Sequence, residues 1–231
     1  MHMHAPIAPS SGAVDRFVTR VLGLQVAWAA AGEEGLARAP SPTHKGRLVT
    51  LLWSKRSEAE RWGGLVATHP RIKPLSLSDL HVDVLPKLAV LNRSIGPDWS
   101  SGTDRSEIEP ADLTRRLRTT AVSLFLREVL RSGSVWILQG AEGPACLMSK
   151  SRQGAQVLPC WHRRDLAQTR IAGPLQDMVV AEVPFADFRE KTLLWIAESR
   201  RLVAPAYCEG DGLIEFEAAD LDAQLTGPSH L

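Results

Sequence analysis

Apolar residues recur at Val14, Phe17, Val18, Val21 and Leu22 with polar residues between them, the spacing of a helix that turns one face to a core. The period then changes. Residues 26–30 and 36–39 are short apolar runs on either side of Gly32-Glu33-Glu34-Gly35, which predicts a β-hairpin with a glycine-bearing turn. Residues 47–53 (RLVTLLW) predict a largely buried strand, and Ser54 stands where the N-cap of a short helix through Trp62 belongs. A strand over 70–77 comes next. Ser78-Asp79 then reads as the cap of a longer helix over 80–92, with Pro86 as its kink or its limit, and residues 95–99 as a short strand. Residues 107–117 return to helical composition, with Pro110 in a first-turn position. No break follows them through Arg118-Thr119-Thr120, so a nearly continuous helical connection is predicted.

The order then starts again. Helix 122–131, hairpin 135–138 with 145–148, strand 156–161, helix 163–170, strand 178–183, helix 185–200, strand 202–207 and helix 218–225 follow the same periodicities. A single offset of 108 superimposes the two halves without a gap: Phe17 falls on Phe125, Trp28 on Trp136, Trp53 on Trp161, Asp79 on Asp187 and Glu107 on Glu215. Between 13–117 and 121–225, 28 of 105 paired positions are identical, far above chance matching in a chain of this composition. The chain is therefore an internal duplication. It reads as a lead-in without order over 1–12, a first repeat over 13–117 and a second over 118–231. Each repeat is predicted to be an α+β unit, a small antiparallel or mixed sheet with helices packed on it. The expected relation between the two is a pseudo-twofold, in a fixed arrangement.

Composition narrows the picture. At 231 residues, 44% hydrophobic and 23% charged, the chain is that of an ordinary globular protein, and each repeat is large enough for its own core. The formal net charge of +1 offers no whole-molecule attraction to nucleic acid or to an anionic membrane, and neither partner is expected. That figure hides a split. Residues 13–117 carry 15 Lys+Arg against 12 Asp+Glu, residues 121–225 carry 11 against 14, so the repeats stand at +3 and −3. Three cysteines, Cys146, Cys160 and Cys208, form no CxxC pair, and the first twelve residues lack an apolar stretch. Both features point to a reducing, cytoplasmic setting, and no apolar run approaches a membrane span.

The run Val157-Leu-Pro-Cys-Trp-His-Arg-Arg-Asp-Leu-Ala167 resembles the signature of a small bacterial family, domain of unknown function 2750. Ser134-Val-Trp-Ile-Leu138, Val183-Pro-Phe-Ala-Asp-Phe188 and Arg201-Leu-Val-Ala-Pro205 extend the resemblance over nearly all of the second repeat and, through the duplication, to the first. The first repeat departs from it at Ser54-Lys55-Arg56, which lacks the histidine, so a role for His162 is not shared. The order of elements is also similar, more loosely, to SseB-like domains. The resemblance implies no enzymatic activity, and it points to a bacterial interaction protein.

Candidate chemistry is sparse. Cys160 beside His162 is the one adjacent nucleophile and base, but the first repeat has Leu52 and Ser54 there, and a buried structural cysteine is the expected role. The histidines at 2, 4, 44, 69, 81, 162 and 230 include a terminal HxH but no HxxxH or HExxH spacing, and no glycine-rich phosphate loop is present. No catalytic residue, metal ligand or cofactor is assigned. What remains is an aromatic beside cations at a strand-to-helix corner, Trp53 with Lys55 and Arg56, and Trp161 with His162, Arg163 and Arg164. These residue types make interface hot spots. The sequence thus predicts a non-catalytic protein-binding protein, in its most specific form an immunity-type inhibitor whose partner is a cognate bacterial toxin. The alternative is a small-molecule-binding accessory protein with a pocket between the repeats.

Overall fold

The computed structural model describes residues 11–66, 69–100, 105–149, 151–206 and 214–226. In the first repeat, α1 (Ser11–Leu24) leads into β1 (Val26–Gly32), β2 (Gly35–Leu36), β3 (Arg38–Pro40) and β4 (Leu48–Leu52). After these come α2 (Arg56–Gly63), β5 (Arg71–Ser76), α3 (Leu77–Asp79), a π-helical segment Leu80–Val84, α4 (Leu85–Val90) and β6 (Ser94–Pro97). α5 (Pro110–Ser132) is one unbroken helix that carries the end of the first repeat and the start of the second. The second repeat continues with β7 (Ser134–Gly140), β8 (Gly143–Pro144), β9 (Leu147–Met148), β10 (Gln156–Cys160), α6 (Arg164–Gln168) and a 3-10 turn Gly173–Leu175. It ends with β11 (Val179–Pro184), α7 (Phe185–Asp187), a π-helical segment Phe188–Thr192, α8 (Leu193–Glu198), β12 (Leu202–Pro205) and α9 (Ala218–Thr226). The chain divides into two compact units between Thr120 and Ala121. The lead-in expected over 1–12 falls largely outside the described residues, and α1 already begins at Ser11.

Each unit holds two three-stranded sheets. In the first unit β1 lies antiparallel between β2 and β5, with Val26 opposite Ser76 and Ala31 opposite Arg71. β4 lies between β3, antiparallel, and β6, parallel, which makes this sheet mixed. The second unit repeats both sheets in the same register, Ser134 opposite Pro184 and Cys160 opposite Pro205. A parallel pair needs a long return, and here the return from β4 to β6 is the whole run of α2, β5 and the helical turns after it. The α1 residues Val14, Phe17, Val18 and Val21 are buried, at 1% exposure or less, against these strands, as are Phe125 and Val129 of the equivalent helix. Each such side chain contributes about 1.5–3 kcal/mol by leaving water.

Local sequence sets several boundaries. α1 stops where Gln25 turns left-handed (φ 58°), and the second repeat makes the same turn with Gly133 (φ 72°), which meets no Cβ penalty there. The cap of the 77–90 helical run is Ser76, not Ser78-Asp79: the Ser76 hydroxyl accepts from the Asp79 amide at 3.0 Å, and the Ser76 amide donates back to the Asp79 carboxylate at 3.2 Å. This is a reciprocal capping box, so the helix begins three residues earlier than the period alone places it. In the second repeat Pro184 replaces Ser76, and Asp187 pairs with Lys191 at 2.7 Å instead. Pro86 falls at the start of α4, after the π segment. It is not the cause of that segment, because the second repeat has Leu194 there and the same π turn.

Candidate functional site

The two strand-to-helix corners are built the same way. β4 ends at Leu52, and Trp53 then exchanges both backbone hydrogen bonds with Trp28 at 2.7 and 2.8 Å, joining the two sheets of the unit. Trp161 and Trp136 repeat this at 2.8 Å each way. Trp53 is 0% exposed and Trp161 1%. The Trp53 indole N–H donates to the Trp99 carbonyl at 2.9 Å, so its one polar atom is satisfied inside. Sequence reasoning placed both tryptophans in the binding set. Their burial corrects that: they hold the corner together and present nothing to a partner. The aromatics of this corner that keep some exposure are Trp28 and Trp62, which pack against the same core and are partly buried.

Ser54 does not cap α2, for which Lys55 occupies the cap position without a side-chain bond. Its amide and hydroxyl both donate to Asp98, at 2.6 and 2.8 Å, with Arg20 3.9 Å from the same carboxylate. Asp98 reaches back because it sits left-handed (φ 53°) just past β6, with its own amide bonded to the Leu52 carbonyl at 2.8 Å. The second repeat keeps this backbone, Ala206 at φ 57°, but changes the chemistry: His162, Ala206 and Glu128 stand where Ser54, Asp98 and Arg20 do.

His162 is half-buried, its ring edge-on to Phe125 with centroids 6.4 Å apart, and its Nδ1 is buried with no partner among the described residues. Burial, helped by the neighbouring Arg163, pushes its pKa below the ordinary histidine value, while Glu128 and Asp165 act weakly against that. The sign follows. The unfolded chain takes up the proton near about pH 6.5, before the folded one does, so stability is present above that pH and is lost as pH falls through the depressed folded value. In urea unfolding, His162→Phe is expected to remove part of the loss that wild type shows between about pH 7 and about pH 5. A variant with the wild-type slope would show that His162 titrates normally.

Cys160 is fully buried, its Sγ directed at the Ala204 carbonyl at 3.7 Å, and burial pushes the thiol well above its usual pKa. It packs in the core with Phe125, Val135 and Phe188. The remaining cations of the corners are exposed and differ between repeats. Arg56 pairs with Glu60 at 2.8 Å and lies over the Trp28 ring, 5.7 Å from its centroid, and Arg61 lies over Trp62 at 4.7 Å. Lys55 has no ion pair among the described residues. Arg163 is bound by both oxygens of Asp165, and Arg164 is exposed.

A second constellation went unread in the sequence. Glu107 accepts from Ser94 at 2.6 Å, Ser41 at 2.7 Å and Thr43 at 2.9 Å. Burial opposes its ionisation, but these hydroxyls outweigh it and hold the carboxyl below the usual range. Glu215 is held the same way by Ser149, at 2.6 Å, and by Ser151. Beside Glu107, Arg47 grips Glu109 bidentately at 2.6 and 2.7 Å, while in the second repeat the carboxylate at that place, Glu217, is reached by Arg152 from a different position. The signal was the identity of Ser41 with Ser149 and of both glutamates across the offset, but Ser41 lies 66 residues from Glu107, and Ser149 lies 66 from Glu215. These are clasps between the β3–β4 loop and the segment after β6, and between their counterparts.

Among the described residues no group of three His, Cys, Asp or Glu is placed to hold a metal ion, and no helix is long and apolar enough to cross a membrane. His2, His4 and Cys208 lie outside the described residues.

A family model, "Protein of unknown function (DUF2750)", matches residues 14–117 and again 122–225. The chain belongs to this family. It carries two tandem DUF2750 domains, each with the Trp–Trp bridge and the clasped glutamate. No curated protein matches it. Solved structures similar to it include Tic22 from Anabaena, described as a protein-transport protein, at 11% identity over 93% of this chain and 99% of that one. Another is Tic22 from Plasmodium falciparum, at 10% identity over 92% and 98%. Both have a TM-score of 0.25, too low to assign a shared fold.

Proposed function

We propose that this tandem DUF2750 protein is a non-catalytic, protein-binding protein that docks its partner on the strand-to-helix corner of its first repeat. In its most specific form it is an immunity-type inhibitor of a bacterial toxin. The observation that carries the reading is the pair of guanidinium–indole stacks made by α2 arginines, Arg56 over Trp28 of β1 and Arg61 over Trp62, with Lys55, which has no ion pair among the described residues, beside them. Tryptophan and arginine dominate the energetics of interfaces, and an arginine already laid on a ring loses less freedom when it docks. The partner this corner fits is acidic. The second corner is a weaker candidate: Asp165 pairs with Arg163 as Glu60 does with Arg56, but among the described residues no aromatic ring underlies Arg163 or Arg164. The +3 balance of the first repeat would steer such a partner toward it. The deep burial of Cys160 supports the non-catalytic part of the reading.

The test compares wild type with two charge reversals, Lys55→Glu/Arg56→Glu and Arg163→Glu/Arg164→Glu, as bait in the native cell. Wild type and the second variant should retain one stoichiometric protein, which the first variant binds about tenfold or more weakly, near 1.4 kcal/mol. That partner, expressed alone, should arrest growth, and co-expression of wild type should relieve it. A partner lost equally from both variants overturns the assignment to the first corner, and a partner without toxicity overturns the inhibitor form.

A further inference from the structure

A cavity of about 440 Å³ opens in the first unit between the β1–β2 hairpin, β5 and the helical run through α4. Two periodicities build it. Lys73 and Leu75 lie two apart on β5 and share a face, while Val84, Lys87, Leu88 and Leu91 follow the i, i+3, i+4, i+7 stripe of the facing helix. The floor is apolar: Leu75, Val84 and Leu88 are 2%, 7% and 4% exposed. The rim is cationic. Lys73, Lys87 and Arg93 have no ion pair among the described residues, whereas Arg38 is held by Glu34. Counting Arg38, Lys73, Lys87 and Arg93 against Glu34 and Asp83, four cations face two carboxylates.

The duplication supplies an internal comparison. At the offset of 108, Lys73 becomes Ala181, Lys87 becomes Trp195 and Arg38 becomes Cys146. There Trp195, Ala181 and Cys146 pack against the core of the second unit, and Arg201, the counterpart of Arg93, lies over the Trp195 ring at 4.6 Å. The same fold thus fills this place with an indole and stacks its arginine on it. The first repeat has no indole there, leaves Leu36 and Leu91 partly exposed over the buried Leu75, Val84 and Leu88, and rings them with separated cations. A crack left by imperfect packing would not exchange a plug for three cations that have no ion pair among the described residues.

We infer that this groove of the first repeat binds a small anionic amphiphile, a carboxylate carried on a single apolar chain, with the chain between Leu36 and Leu91 over the floor of Leu75, Val84 and Leu88 and the head among Lys73, Lys87 and Arg93. The volume lies within the range of about 300–1,000 Å³ usual for small-molecule sites, which combine an apolar lining with a few placed polar groups. The site uses β5 and α4, not α2, so it stands or falls independently of the protein-docking corner.

Dodecanoate, below its micellar concentration, is the probe, titrated calorimetrically into the full chain. Dodecanol controls for the chain alone and acetate for the head alone. Dodecanoate should bind one site, dodecanol at least about tenfold more weakly, and acetate not detectably. Lys87→Trp, which copies the plug of the second repeat, should weaken dodecanoate binding at least about tenfold while leaving the urea midpoint unchanged or raised. Should that variant fail to fold, Lys73→Glu, at an exposed side chain, should weaken dodecanoate by a similar factor and leave dodecanol unaffected. The inference is overturned if dodecanoate does not bind, or binds no tighter than dodecanol. Binding that survives the variants, or an acidic peptide that takes the groove where dodecanoate does not, also overturns it.

Discussion

Trp53→Ala lowers the unfolding free energy by about 3–5 kcal/mol, the cost of emptying a large fully buried site. Its ring is 0% exposed, packs with Ala30, Val49, Leu51 and Ala59, and donates to the Trp99 carbonyl. Truncation removes the transfer energy, leaves a cavity and strips a buried carbonyl of its donor. Arg56→Ala, three residues on and exposed, shifts stability by no more than about 0.5 kcal/mol. Urea titration of both variants checks the contrast. Equal and small effects would mean that Trp53 is not a core residue and could belong to the docking surface after all.

Gly96→Ala costs about 1–3 kcal/mol through overpacking, although it adds one methyl group to a strand. A Cβ on Gly96 would stand 2.6 Å from Cε2 of Trp99 and 2.9 Å from Cδ2 of Leu51; the Trp99 indole is tied to the Ser106 carbonyl at 2.7 Å, and Leu51 is buried. The second repeat carries Ala204 at the same place, fully buried, and there Pro159 stands in place of Leu51. The double variant Gly96→Ala/Leu51→Ala should therefore lose less than the sum of the two single losses, a coupling that a double-mutant cycle reads directly. Additive losses would show that the methyl group finds room without Leu51 yielding.

Much of this architecture can be read from short-range pattern. The α1 face at Val14, Phe17, Val18 and Val21 follows from a period of 3.6, and the buried β4 run from an apolar stretch too short for a helix. The caps were legible only in part. Ser76 and Asp79 have capping-box spacing, yet Ser78-Asp79 is the more obvious local pair, and the choice depends on where β5 releases the chain. Ser54 misled for a related reason. A serine before a helix caps it only when no better acceptor competes, and Asp98, 44 residues away, captures both its amide and its hydroxyl.

The duplication, the α+β class, the order of elements and the DUF2750 membership were determined by the sequence, because each rests on periodicity or on identity at a fixed offset. Only the tertiary structure decided what the marked residues do. Trp53 and Trp161 became bridges between sheets, Glu107 and Glu215 became clasps, and Lys87 and Trp195 became the open and filled forms of one groove. A side chain's neighbours in sequence fix its conformational preference. Its burial and partners depend on which distant strand the chain lays beside it, and Trp53 and Arg56, three positions apart, end in opposite environments for that reason.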